Sequence, residues 1–315
     1  MNMAEKIATR EAYGSALAEF GDKYDKLVVL DADLAEATKT IKFKKKFPDR
    51  FFDCGIAEGN MVTVAAGLAA AGLIPFCSSF AMFAAGRAFE QVRNAIGYPH
   101  LNVKIGATHA GISVGEDGAT HQCLEDFATM RSIPGMVVMQ PADAVEARAM
   151  VEAAINYVGP CYMRFGRFAV PVLFDQDTYK FEWGKGRVLA DGKDVTLVAT
   201  GLMVEQALAA RDLLAAENIS ARVVNIHTIK PLDEELILKC AADTGCIVTA
   251  EEHNYIGGLG SAVCECVSGN HPVPVKRVGV EDQFGRSGKV PPLLEMYGLT
   301  ANNIVAKAKE AIAAK

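Results

Sequence analysis

Two of the chain's six histidines, His109 and His121, bracket a single glycine-rich loop. Between them lies GEDGAT (115–120), which carries Glu116 and Asp117 and no large apolar side chain. Such a loop adds little to a core. Its imidazoles are either satisfied by nearby backbone groups or available to a ligand, and the spacing alone leaves both readings open. Glu58, in CGIAEGNM, opens a small-residue stretch. It is either an acid placed favourably at a helix N-terminus or a partly buried carboxylate aimed at a nitrogen base. Phe80 and Phe83, in SSFAMFAAG, suit a core or an aromatic platform for a flat ring. Arg10 and Arg164 are either surface cations or a phosphate clamp, for which a planar guanidinium with several donors is well shaped.

These residues need elements to position them. Short β-branched runs alternate with helical patterns along most of the chain. KLVVLDAD (26–33), LIPFCSSF (73–80), LNVKIGATH (101–109), MVVMQPAD (136–143) and CYMRFG (161–166) read as strands. GNMVTVAAGLAAAG (59–72) and AAGRAFEQVRNAIG (84–97) read as helices, and Asp143 is placed to cap a third, AVEARAMVEAAINY. A segment of weak periodicity follows, about 167–193, with Pro171, Gly184, Gly186 and Gly192. The alternation then restarts with VTLVAT (195–200), a helix over 203–217, ARVVNI (221–226), CIVTAEE (246–252) and VKRVGV (275–280). In KPLDEELILKCAAD, Pro231 and three acids fit a first helical turn. This alternation predicts an α/β protein with two doubly wound, mainly parallel sheets in series, divided into 1–180 and 181–315. Ligands of such sheets bind beyond the C-terminal strand ends. Asp31–Asp33, the Phe80–Phe83 turn, the His109–His121 loop and Arg164 all follow predicted strands.

Composition excludes other classes. The net charge of −6 and pI near 5.6 argue against a nucleic-acid surface, which is normally basic. Eight scattered cysteines include one C-x-C pair, Cys264 and Cys266, with no second pair nearby, so free thiols in a reducing cytosol are the simpler reading than zinc. The charged start, MNMAEKIATREAYG, lacks the apolar core of a signal peptide. MVTVAAGLAAAGLIPF (61–76) is short for a membrane span and is broken by Gly67, Gly72 and Pro75. A cytoplasmic protein is expected. KTIKFKKK (39–46) reads as a solvated edge. GGLG (257–260) lacks both the G-x-G-x-x-G spacing and a P-loop lysine, and reads as a tight strand-to-helix turn. EDG (116–118) has no asparagine about thirty residues on in a strand–turn context, so it gives no magnesium site.

ATRE (8–11), DADL (31–34), GIAEGNM (55–61), SFAMF (79–83), ATHAGISVGEDGATHQ (107–122), MRFGR (163–167) and QFGRSGKVPPLLEMYGLT (283–300) occur in one order across nearly the whole chain. Together they resemble the transketolase family, and specifically its pyrimidine-binding and C-terminal domains. The resemblance implies a thiamine-diphosphate-dependent transferase that moves a two-carbon ketol unit from a ketose phosphate to an aldose phosphate. Glu58 matches the glutamate that hydrogen-bonds the cofactor's aminopyrimidine ring, and Phe83, with Phe80 beside it, matches the platform under that ring. His109 and His121 match residues of the substrate channel, and Asp117 a carboxylate that accepts from a sugar hydroxyl. Arg10 and Arg164, with His109, match the terminal phosphate clamp. On this reading the loop reads a polyol.

Two departures stand out. The family's GDG…N motif, which holds Mg²⁺ and the diphosphate, has no counterpart, since GDG occurs nowhere in the chain. The resemblance therefore implies a split enzyme, in which a separate N-terminal subunit carries the diphosphate-binding domain and holds the Mg²⁺ or a similar metal. It also implies homodimer contacts within a heterotetramer. Ala37 stands where the family places a phosphate-binding serine, and adjacent Thr38 is the candidate substitute. Three other readings compete. A 1-deoxy-xylulose-5-phosphate synthase shares the loop pattern but typically lacks the first histidine. The beta subunit of a 2-oxo-acid dehydrogenase lacks GEDGxTHQ. A non-catalytic homologue has no need of Glu58, both histidines and both arginines.

Overall fold

The computed structural model describes residues 5–315, so the first four residues of the charged N-terminal stretch lie outside the described part. Two sheets form the frame. The first has seven strands in the order Thr228–Lys230, Val137–Met139, Cys161–Arg164, Lys104–Thr108, Ile74–Phe80, Leu27–Asp31 and Phe51–Asp53. All pairings are parallel except that of the edge strand Thr228–Lys230 with Val137–Met139. The second sheet runs Val275–Val280, Ile247–Asn254, Val195–Ala199, Ala221–Asn225 and Arg187–Ala190, with only the last strand antiparallel. Central strands such as Leu27–Asp31 and Val195–Ala199 are buried along their whole length. That burial explains why they read as continuous apolar runs rather than alternating ones.

The two expected α/β sheets are therefore present, with one crossing. Thr228–Lys230, from the second half of the sequence, completes the edge of the first sheet. The weakly periodic segment is less irregular than expected. Ala169–Pro171 pairs antiparallel with Lys6–Ala8, and Arg187–Ala190 joins the second sheet.

Helix boundaries follow local chemistry. Asp143 caps Ala144–Asn156 by accepting the Glu146 N–H at 2.8 Å. Asp233 caps Glu234–Thr244, which leaves Pro231 ahead of the helix rather than in its first turn. The segment expected as a regular helix over 84–97 is instead wound as two π-helical turns, Met82–Arg87 and Val92–Gly97, around Phe89–Gln91. No helix of the described residues is long and apolar enough to cross a membrane.

Candidate functional site

Glu58 begins the helix Glu58–Ala70 and is 1% exposed. Its two carboxylate oxygens accept from Arg87 Nη1 at 3.0 and 2.9 Å. The Arg87 guanidinium also lies over the Phe83 ring, 4.5 Å from its centroid. Arg87 sits on the first π-turn, which follows strand Ile74–Phe80 and carries Phe83 as well. Phe80 and Phe83 stack at 5.8 Å with an 18° interplanar angle. The result is a buried carboxylate beside an aromatic face, with a planar cation between them.

The histidines continue this line. His121 meets Phe83 edge-on at 5.4 Å, and its Nδ1 is 2.9 Å from Thr120 Oγ1. His109 lies flat on Phe80, with centroids 3.9 Å apart. It is buried, and its backbone is left-handed at φ 55°. Its Nε2 is 3.0 Å from Arg10 Nη1, an obligate donor, so Nε2 accepts and the ring carries its proton on Nδ1, towards Thr108 Oγ1 at 2.9 Å. Burial, and then the positive charges of Arg10 and Arg167, pull the His109 pKa down to about 3. This imidazole is neutral at physiological pH.

Beyond His109 the site becomes cationic. Arg10 is held by the Ala37 carbonyl at 2.8 Å. The strand Lys6–Ala8 pairs with Ala169–Pro171, and Gly166 N–H donates to Thr9 Oγ1 at 2.8 Å, so the Arg10 helix starts beside residues 166–167. Arg167 donates to the Val114 carbonyl and pairs with Glu116 at 3.1 Å. Its charge acts on both Arg10 and His109. Lys39, paired with Glu11 at 2.9 Å, also acts on His109. Asp117 is exposed on the loop, and its charge acts on Arg10.

Arg164 does not join this cluster, which corrects its assignment to a phosphate clamp. It is 0% exposed. Its Nε pairs with Asp126 at 2.8 Å, and its Nη atoms donate to Gln140 and to the Cys123 and Glu252 carbonyls. With these donors engaged inside the protein, it has no reach to a ligand. The arginine in the cluster is Arg167, three residues on in the same MRFGR stretch. Thr38 is corrected in the same way. Its hydroxyl is buried and donates to Asp31 Oδ2 at 2.7 Å, so it does not replace a serine at position 37. Arg87, Arg167 and Lys39 were not singled out by sequence. Only Arg167 carried a signal, its place in MRFGR.

The GGLG turn is filled from within. The Glu251 carboxylate accepts the N–H groups of Leu259 and Gly260 at 2.7 Å each, at the start of helix Leu259–Asn270. An internal carboxyl group, its pKa pushed up to about 7 by burial, thus occupies the position that a phosphate would take. Among the described residues, no group of three or more His, Cys, Asp or Glu side chains is arranged to hold a metal.

Comparison with known proteins agrees along the whole length. Residues 5–172 match the transketolase pyrimidine-binding domain, and residues 184–304 the transketolase C-terminal domain. A protein of Methanocaldococcus jannaschii described as a transketolase C-terminal section is 49% identical over 303 residues, covering 96% of this chain and 95% of its own. A solved structure described as a split gene transketolase, an inactive beta4 tetramer, is 56% identical with a TM-score of 0.92, covering 98% of this chain and 99% of its own. The transketolase of Rattus norvegicus is 42% identical over 311 residues, 98% of this chain but 49% of that enzyme. The carboxylate, aromatic face, paired histidines and cationic end thus lie in a chain that belongs to the transketolase family and corresponds to its pyrimidine-binding and C-terminal domains.

Proposed function

We propose that this chain is the subunit of a two-chain transketolase that binds the pyrimidine end of thiamine diphosphate and the sugar substrates. A second chain then supplies the diphosphate-binding domain and its divalent metal. The observation that carries this reading is the continuous line from Glu58 through Phe83, Phe80, His121 and His109 to Arg10 and Arg167. The pyrimidine end suits a flat, nitrogen-bearing ring. A planar guanidinium already satisfies both Glu58 oxygens while covering Phe83, and an aminopyrimidine would use the same acceptor and the same face. When bound, thiamine diphosphate supplies a carbanion-forming centre that the twenty amino acids lack.

The remaining roles belong to this chain. Glu58 accepts a hydrogen bond from the ring nitrogen and holds the proton shared there. Neutral His109, fixed between Thr108 and Arg10, sets the cationic end in place, while His121 with its imidazole and Asp117 with its carboxylate match hydroxyls of a ketose. Arg10 and Arg167 hold the terminal anion in place of the pair first expected. We place the protein in the cytoplasm, in contact with a second copy of itself within the assembly.

The test is reconstitution. The purified chain, with thiamine diphosphate and Mg²⁺, should transfer no ketol unit from a ketose phosphate to an aldose phosphate. Adding the chain that carries the GDG…N motif should restore transfer. Full activity from the single chain would overturn the split-enzyme reading.

A further inference from the structure

The loop between the two histidines is gripped from behind by the second half of the chain, and one residue reaches both of its ends. Glu252 lies in the strand Ile247–Asn254 of the second sheet and is fully buried. Its Oε1 accepts the Ser113 N–H at 2.5 Å, just after His109 and the turn at Gly111. Gly111 has φ 80°, and a Cβ there would strike the Glu252 carboxylate, so the turn is shaped around that side chain. The main-chain oxygen of the same residue accepts from Arg164 Nη2 at 2.9 Å, and the same nitrogen donates to the Cys123 carbonyl at 3.2 Å, two residues after His121. The loop closes on itself between these points, through Gly111 N–H to the Cys123 carbonyl at 2.9 Å. A second prop comes from further along the chain: Gln122 Nε2 donates to the Arg286 carbonyl at 2.9 Å as well as to Ile112 and Gly115.

We infer that Glu252 is a positioning residue through which the C-terminal domain sets the spacing of His109, Asp117 and His121 along the substrate. This inference rests on the loop being the sugar-reading element proposed above. Glu252 touches neither substrate nor cofactor. It acts by fixing the start of the loop relative to its end. Removing the carboxylate frees the Ser113 N–H and lets the Gly111 turn relax, so His109 shifts relative to His121. The reacting groups at Glu58 and Phe83 stay in place, because the Glu58–Ala70 helix and the π-turn carry them instead.

The experiment compares Glu252→Ala, Glu252→Gln and Glu252→Asp in the reconstituted two-chain enzyme. The readouts are kcat/KM for a ketose phosphate, kcat/KM for hydroxypyruvate, and thiamine diphosphate affinity. Glu252→Ala should lose about 10- to 100-fold with the ketose phosphate, since misplacements near 1 Å cost that much. It should lose far less with hydroxypyruvate and keep wild-type cofactor affinity. Glu252→Gln retains an oxygen for Ser113 and should recover most of the loss. Should Glu252→Ala fail to fold, Glu252→Asp, one methylene shorter, should give the same substrate split. Equal loss with both donors, or a Gln variant as poor as the Ala variant, would overturn the inference. A wild-type pair that transfers no ketol unit at all would instead overturn the functional reading on which the inference rests.

Discussion

Replacing Glu58 by glutamine keeps the size and removes the ability to hold a shared proton. In the reconstituted enzyme we expect turnover to fall by about 10²- to 10⁴-fold, the usual weight of a positioned acid–base group, with folding intact. Near-normal turnover would make Glu58 a helix-end charge. The two arginines of MRFGR should separate cleanly. Arg167→Ala should raise KM for phosphorylated sugars about 10- to 100-fold, the worth of a charge-assisted contact, and leave hydroxypyruvate nearly unaffected. Equal losses for both donors would assign Arg167 to structure. Arg164→Ala should destabilise the fold by about 3–5 kcal/mol, because it leaves Asp126 buried without its cation. Urea unfolding measures that directly. His109 should not titrate between pH 8 and 5 in an NMR experiment on its ring, given its pKa near 3. The sign for stability follows: below about pH 6.5 the unfolded chain takes up a proton that folded His109 refuses, so this contribution is lost as pH falls from 6.5 towards 3. The sequence reading chose Arg164 for the clamp rather than Arg167. Arg164 is the last residue of a strand in the middle of the sheet, and its partner Asp126 lies 38 residues away, a contact that no local pattern announces.

The elements that could be read from sequence were those whose ends carry their own chemistry. Asp143 is one, and it does more than cap. Its Oδ1 accepts from Glu146, and its Oδ2 accepts the N–H groups of Leu173 and Phe174 at 2.7 and 2.9 Å. Asp143→Ala should therefore cost about 2–3 kcal/mol, combining a lost cap with orphaned buried donors. A thermal melt would show it, and a change under about 0.5 kcal/mol would mean that water replaces the carboxylate without penalty. The π-turns after Phe80 stayed hidden for the opposite reason. AMFAAGRAF is rich in small residues that fit either winding, and the wider turn is recognised only once Arg87 is seen against Glu58 and Phe83. The helix Leu259–Asn270 began where expected, but the carboxyl group that accepts its first N–H groups, Glu251, comes from the preceding strand and was read as part of that strand alone.

Across the whole molecule, the alternation of strands and helices was enough to give two parallel sheets, because parallel pairing needs a crossover that the sequence spells out at length. What it did not give was the covering of the outer faces. The helix that starts at Glu58 leaves Val64 exposed, Gly67 has nothing within 4 Å of where a side chain would begin, and Ile56 and Phe52 are exposed nearby. If a second copy covers this face, Val64→Asp should shift the isolated chain towards a smaller species in sedimentation, and an unchanged profile would place the contact elsewhere. The three-residue strand Thr228–Lys230 was equally silent, as TIK names no partner, yet it crosses from one half of the chain to the sheet of the other. Lys230 Nζ fastens it further, donating to the Arg131 and Ile133 carbonyls at 2.7 and 2.6 Å. That crossing works as a stitch. A chain pulled from its two ends can pay out everything after Lys230, but the strands between Arg187 and Asn225 stay looped behind the first sheet's border until that border gives. Under load the second half should therefore lengthen in two instalments, the later one together with the first sheet.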